Sequence, residues 1–351
     1  MREKEALESL IKHMLTPVQE ILDHPEMTDF HINGVGEKKT FIDIGRGMEQ
    51  ITLPYTFRDL EDLAVAAAAY THQDITATNP LVGTRLPGNH RVTIAMPSAT
   101  MDGTIVFSIR KPKAVTGTPD DLERTGVFDN TKRAGSTDDG VRREMEKLYK
   151  EGRFRLLIEA AIGAGMNVVF SGSVGTGKTH NMRFFTDAIP KTSRIVTVED
   201  THELVNMPHP NIVHLFYSKG GQSAANIKAE DLVEAGMRLG MNWIINQELR
   251  DEAAYSYLYV LESGHSGMTS VHAGSAQQTR DRIRGLVKKH PRGMHMADAD
   301  IMASLYRSID VIAYCVRDGD NRRYIKEVLY DPELKDRYSS APTVFHEREA
   351  A

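Results

Sequence analysis

The residues best suited to chemistry lie between Gly172 and His272. Residues 170–180 read FSGSVGTGKTH, in which Gly172, Gly177, Lys178 and Thr179 satisfy the pattern G-x-x-x-x-G-K-[ST]. An apolar run, NVVF, precedes the pattern, and KTHNMRFFTDAI can continue it as a helix. That is the context a phosphate-binding loop needs. Glycines permit a tight turn whose backbone N–H groups point at phosphate oxygens. The candidate nucleotide-binding segment is therefore Gly172, Ser173, Val174, Gly175, Thr176, Gly177, Lys178, Thr179 and His180. Lys178 would offset the β- and γ-phosphate charge, and the Thr179 hydroxyl would join the coordination of Mg²⁺. The implied cofactors are ATP and Mg²⁺. The motif is strong for binding and silent about purpose.

Three further stretches carry reactive groups. RIVTVEDTHEL sets Glu199 and Asp200 at the end of an apolar run, where an open α/β sheet binds its ligands. Such an acidic pair can orient or deprotonate a water and hold Mg²⁺ through its shell; read alone, it is a polar strand end. MNWIINQELRDEA repeats the arrangement with Glu248, opposite the phosphate loop in the manner of a Walker B carboxylate and hence a second metal-binding candidate. Arg250 either supports a carboxylate or reaches a phosphate. ESGHSGMTSVHAGS offers His265 and His272. A histidine after a strand can sense a γ-phosphate, but in isolation each reads rather as a satisfied buried histidine.

The elements that must position these groups follow from pattern. In the second half NVVFSG, SRIVTVED, NIVHLF, NWIINQE, GMTSVHAG and SIDVIAYCVR alternate with helical stretches. Several are continuous apolar runs, as expected of strands covered on both faces. This predicts an open α/β sheet over residues 141–351, entered through one helical stretch, VRREMEKLYKEGRFRLLIEAAIGAG. Before it, residues 113–140 are rich in Gly, Thr, Asp and Lys and read as a linker. Residues 1–112 read as a smaller α+β domain. An amphipathic helix runs from Ala6 to Leu22, strands DFHIN, KTFIDI and EQITL follow, then a helix over FRDLEDLAVAAAAYTHQ, then strands HRVTIAMPS and GTIVFSIRKP.

Composition sets outer bounds. The 351 residues are 40% apolar and 26% charged, ordinary for a soluble globular chain, and long enough for two domains. A formal charge of −5 gives no global basic field, so non-specific nucleic-acid binding is not indicated. The single cysteine, Cys315, excludes an internal disulfide and a Cys-rich zinc module and fits a reducing cytoplasm. MREKEALESLIKHML lacks the apolar core of a secretory signal, and LAVAAAAY is too short to span a bilayer. The expected location is cytoplasmic, at a membrane only through partner proteins.

The order of the four segments is more specific than any one of them. The phosphate loop, TVEDTHEL, INQELRDEA and SGHSGMTSVHA together resemble the secretion ATPase superfamily, which includes the type II secretion, type IV pilus and type IV secretion motors. VEDTHEL resembles the E-D-T-x-E-L form of type IV secretion ATPases of the VirB-eleven class. RLPGNHRVTIAMPSA and VFSIRKP resemble that family's N-terminal segments, and SIDVIAYCVRDGDNRRYIKEVLYDP its closing strands. The resemblance implies a RecA-like P-loop ATPase domain behind the smaller α+β domain. It also implies a hexameric ring, working with other secretion ATPases and inner-membrane components of a secretion or conjugation machine. Sequence-specific nucleic-acid binding is not expected. By position, Glu199 would polarise the attacking water, Glu248 would be the Walker B carboxylate and His272 the γ-phosphate sensor. Arg91 and Arg110 match arginines that approach the nucleotide from the first domain, where a guanidinium stabilises charge on the transferred phosphoryl group. The chain departs from the family at Gln247, where Gly is usual, at Met241 and Asn242, where Pro-Asp is usual, and at His180 and Ser266. A pilus or type II secretion motor is the neighbouring reading. A nucleotide-dependent scaffold with little turnover is the rival from another class, and a DNA translocase is weakened by the acidic balance.

Overall fold

The computed structural model describes residues 2–45, 47–112, 118–131, 140–218 and 225–339. They are organised on two sheets. The first contains β1 (Asp29–Ile32), β2 (Thr40–Asp43), β3 (Met48–Ile51), β4 (Leu81–Leu86), β5 (His90–Ala95) and β6 (Val106–Arg110). Its order is β3-β2-β1-β6-β5-β4, with every pairing antiparallel. The helix Phe57–Tyr70 packs on it through Leu60, Leu63, Ala64 and Ala67. Small alanines on that face let the backbone approach the sheet. Its start is fixed by a reciprocal cap, in which Thr56 Oγ1 accepts from the Asp59 N–H and the Asp59 carboxylate accepts from the Thr56 N–H. Strand β4 is additional to the expected strands; LVGTRL buries alternate residues, a period-two pattern.

Two helices expected to be continuous are broken. The amphipathic pattern from Ala6 to Leu22 folds as a helix Arg2–Met14, a 3₁₀ turn Thr16–Val18 and a short helix Gln19–Asp23. Pro17 has no N–H to give and is tolerated only in a first turn, where it sits. The apolar face survives the break: Ile11, Leu15, Val18 and Leu22 are all buried. Likewise residues 141–165 divide into helices Gly140–Lys150 and Phe154–Gly163, parted at Gly152, whose φ of +68° no helix continues through. Of the expected linker, residues 118–131 are described and carry a helix Pro119–Arg124 capped by Thr118; 113–117 and 132–139 lie outside the described residues.

The second sheet contains β7 (Val168–Gly172), β8 (Ile195–Glu199), β9 (Ile212–Phe216), β10 (Trp243–Asn246), β11 (Ser266–Val271), β12 (Val311–Arg317) and β13 (Arg323–Tyr330). Its order is β13-β12-β7-β11-β10-β8-β9. All pairings are parallel except that of β13, which returns as a hairpin on β12. After β7 the chain crosses to β8 and then comes back to place β10 and β11 between them. The carboxyl ends of β7, β11 and β10 are thereby set side by side, at the kind of switch point where open sheets bind ligands. Strands β7, β8 and β10 are buried at every residue, which explains their unbroken apolar runs.

The two units meet through apolar and polar contacts. Ala95, Ala99 and Val106 join the same buried core as Val213 and Leu215, and the Phe216 N–H donates to the Ala99 carbonyl at 2.8 Å. At the centre lies Arg194, fully buried. Its Nε donates to the Leu239 carbonyl at 2.8 Å, and its Nη1 donates to Asn33 Oδ1 at 2.8 Å and Asn211 Oδ1 at 2.7 Å. Asn33 Nδ2 also donates to Asn211 Oδ1 at 2.9 Å. A polar network this deep is stabilising only while every partner stays in place. Among the described residues no helix is long and apolar enough to cross a membrane.

Candidate functional site

The loop after β7 is built around positions that exclude side chains. Gly172 has φ +148°, and a Cβ there would lie 2.2 Å from the Cys315 carbonyl oxygen on the neighbouring strand. Gly177 has φ +86° and caps the helix Lys178–Phe185 in the left-handed region that glycine occupies without strain. The loop therefore stays against β12 and delivers the helix N-terminus, with its unpaired N–H groups, to the carboxyl edge of the sheet. Val174 stands at the exposed tip.

Lys178 is buried with its ammonium turned into the crevice. Nζ donates to the Ser173 carbonyl at 2.9 Å and lies 3.3 Å from His272 Nδ1. Burial pushes its pKa below the ordinary lysine value, partly opposed by the Glu248 charge. His272, directly after β11, spans the gap between loop and acid. Its Nδ1 is 3.1 Å from the Gly172 carbonyl and its Nε2 is 3.2 Å from Glu248 Oε1. Burial works to raise the Glu248 carboxyl, but hydrogen bonding and charge from Arg250, then His272 and Lys178, outweigh it and hold the group below its ordinary value. Arg250 grips both Glu248 oxygens and reaches Asp200 Oδ2 at 3.5 Å. Lys178, Glu248, His272, Arg250 and Asp200 thus form one linked cluster from three adjacent strand ends and the loop.

Other expected site residues fall elsewhere. Glu199 does not join the cluster. Its carboxylate is closed off, accepting from Thr197 Oγ1 at 2.5 Å and the Leu204 N–H at 2.9 Å, with His214 Nδ1 at 2.9 Å. The cause is strand parity. Thr197 and Glu199 are two apart and share a face of β8, and Thr197 pairs with His214 on β9. Asp200, one residue on, turns the other way and meets Arg250. Arg91 and Arg110 do not line the phosphate loop of their own chain. They sit in a cavity of about 490 Å³ at the junction of the two units, with Arg85, Asp29 and Arg238. The His180 ring packs edge-on against Phe184, 4.8 Å between centroids, outside the cluster. His265 lies at the opposite, amino end of β11, 3.3 Å from Ser263 Oγ.

Gln247 stands beside the Walker B acid where the family usually has Gly, and its geometry gives it a definite task. Its Oε1 accepts from the N–H groups of Asp200 at 3.0 Å and Thr201 at 3.3 Å, and its Nε2 donates to Thr201 Oγ1 at 2.7 Å. A glycine could make none of these bonds. The side chain ties the acidic segment after β8 to the end of β10, a contact invisible to a reading that scores each motif separately.

Residues 137–323 match the family model described as type II/IV secretion system protein. The chain is 32% identical to Protein VirB11 of Rhizobium radiobacter over 309 residues, covering 86% of this chain and 88% of that one. It is 32% identical over 328 residues to type IV secretion system protein VirB11 of Brucella suis biovar 1, covering 92% and 90%. The chain belongs to the type II/IV secretion system protein family. The crystal structure of the VirB11 ATPase from the Brucella suis type IV secretion system, in complex with sulphate, superposes with a TM-score of 0.90 at 29% identity, covering 97% of this chain and 99% of that one. The two-sheet architecture of this family member is therefore that of the VirB11 fold, with the phosphate loop on the second, RecA-like sheet.

Proposed function

We propose that the chain is a ring-forming ATPase that powers substrate transfer or pilus assembly by a type IV secretion system. The observation that carries this reading is the linked set Lys178, His272 and Glu248 at the carboxyl edge of β7, β11 and β10. Lys178 and the first N–H groups of its helix bind the phosphate chain. His272 touches both the loop and the acid, so a γ-phosphate drawn between them alters both contacts and can be sensed downstream. Glu248 and Asp200 supply oxygen ligands, Arg250 holds them in position, and Thr179 adds a hydroxyl. That donor set fits Mg²⁺, which supplies charge neutralisation for phosphoryl transfer and is ordinarily held by one or two carboxylates together with phosphates.

In this conformation Glu199 acts as a support through His214 and the Leu204 backbone, and polarising a water requires that network to open. Arg91 and Arg110 reach a nucleotide held on a phosphate loop other than their own, as on a neighbouring copy in a hexameric ring. Turnover would move the first unit, residues 1–112, relative to the second, residues 141–351, and attachment to the inner membrane would be through partner proteins of the machine. Phosphate release by the natural protein, Lys178→Ala and Glu248→Gln tests the enzyme. Equal inactivity of all three, with partner proteins present, would leave only the scaffold reading. Native mass measured with and without MgATP tests the ring, and a monomer in both conditions refutes it.

A further inference from the structure

The hairpin formed by β12 and β13 carries a charge arrangement that nothing in the crevice explains. Arg317 and Arg323 are paired directly across the two strands, and both are exposed. Like charges placed opposite one another on a sheet are destabilising. Among the described residues neither guanidinium has a carboxylate partner. The nearest acid in sequence, Asp318, is committed to the turn: its Oδ1 accepts from the N–H groups of Asp320 at 3.0 Å and Arg322 at 2.8 Å. The pair leans on the phosphate loop. Arg317 Nη1 lies 3.8 Å from where a Cβ on Gly175 would stand, and Arg323 Cδ lies 3.5 Å from the corresponding position on Gly177. Strand β12 flanks β7 on the side opposite β11 and β10, the strands that lead into His272 and Glu248.

We propose that Arg317 and Arg323 are nucleotide-positioning residues. They form a cationic fork that holds the α-phosphate end of the nucleotide, while His272 and Glu248 address the γ-phosphate end from the other side of the loop. This rests on the phosphate-loop reading above. Two opposed guanidiniums repel each other when the site is empty, and a bound anion turns the same geometry into a clasp of charge-assisted hydrogen bonds. The turn pinned by Asp318 keeps the fork in place, so little ordering is needed on binding.

The test is titration of MgATP and MgADP at several salt concentrations against the natural protein, Arg317→Gln, Arg323→Gln, the double variant and the corresponding lysine substitutions. The double variant is expected to weaken both nucleotides by about tenfold or more, the equivalent of at least one charge-assisted hydrogen bond, with a shallower salt dependence. Lysine should restore part of the loss. The melting temperature of the nucleotide-free glutamine variants should equal or exceed that of the natural protein, because the opposed charges are gone. Unchanged affinity in the glutamine variants, alongside binding that Lys178→Ala abolishes, overturns the fork and leaves the site reading intact. A loss confined to MgATP overturns the α-phosphate placement. A loss matched by a lower melting temperature and not restored by lysine makes the arginines structural and also overturns the proposal. Failure of the natural protein to bind MgATP sinks the site reading and the fork together.

Discussion

The crevice at the phosphate loop and the cavity at the junction of the two units are both lined with cations, and they manage charge in opposite ways. In the crevice Lys178 and Arg250 face two carboxylates, Glu248 and Asp200, with His272 bridging Lys178 and Glu248, so the cluster is largely compensated within itself. In the junction cavity Arg85, Arg91 and Arg110 are directly opposed across β4, β5 and β6, with Arg238 nearby. One carboxylate, Asp29, answers them, 3.1 Å from Arg110. The compensated cluster is organised before any ligand arrives, as preorganised electrostatic catalysis needs. The uncompensated row is organised by its sheet alone and gains most from an anion brought from outside the chain. Beneath the row the junction holds a buried polar network centred on Arg194 beside its apolar contacts; beneath the crevice lies apolar sheet.

Substitutions can break that contrast in order of effect. Lys178→Ala should cut steady-state phosphate release by at least about a hundredfold, since it removes a charge aimed at the transferred phosphoryl group, while leaving the urea midpoint near that of the natural protein. Arg194→Met should show the reverse, with little direct effect on the loop and a loss of roughly 3 kcal/mol in urea unfolding, because Asn33 Oδ1 and the Leu239 carbonyl lose their buried donor and Asn211 Oδ1 keeps only Asn33 Nδ2. A cost below the error of the urea measurement would show that the junction does not depend on this network.

Acid should separate the two regions next. Burial, then the Arg194 and Arg110 charges, hold the His31 pKa well below 6.5, and its Nδ1 is 3.0 Å from Ser108 Oγ. The unfolded chain therefore binds this proton more readily than the folded one. The contribution is fully present above about pH 6.5 and is lost as pH falls below it, with a limiting slope of about 1.4 kcal/mol per pH unit for one proton. His31→Asn should flatten the stability profile in that window, and an unaltered profile would refute the assignment. The smallest effect concerns the row itself. Arg85→Gln should raise the stability of the nucleotide-free protein by about 0.5 kcal/mol, because it removes one opposed charge, whereas a drop in melting temperature would show that the row is already compensated.

Much of this contrast was legible in residue order. Continuous apolar runs marked β7, β8 and β10, and the phosphate loop was recognisable because its glycines, lysine and threonine are contiguous. The misses have local physical causes. Pro17 and Gly152 each end a helix whose apolar periodicity continues past the break, so periodicity alone overruns them. Strand β4 alternates, but over six residues interrupted by Gly83 and without a flanking apolar run. Glu199 and Asp200 are adjacent, and which of them faces the cluster depends on the register of β8 against β9.

By itself the sequence determined the phosphate loop, the alternating architecture of the second unit and the identity of the acids and histidines available to it, because these depend on neighbouring residues and short periods. Tertiary structure alone decided that Asp200 rather than Glu199 reaches Arg250, that Gln247 ties two motifs together, and that Arg91 and Arg110 stand away from their own loop. It also brought Arg317 and Arg323, nearly 150 positions downstream, against the glycines of that loop. Each of those outcomes depends on which strands become neighbours and on the parity with which their side chains emerge. The chain crosses the sheet and returns before closing it, so no spacing along the sequence encodes that adjacency.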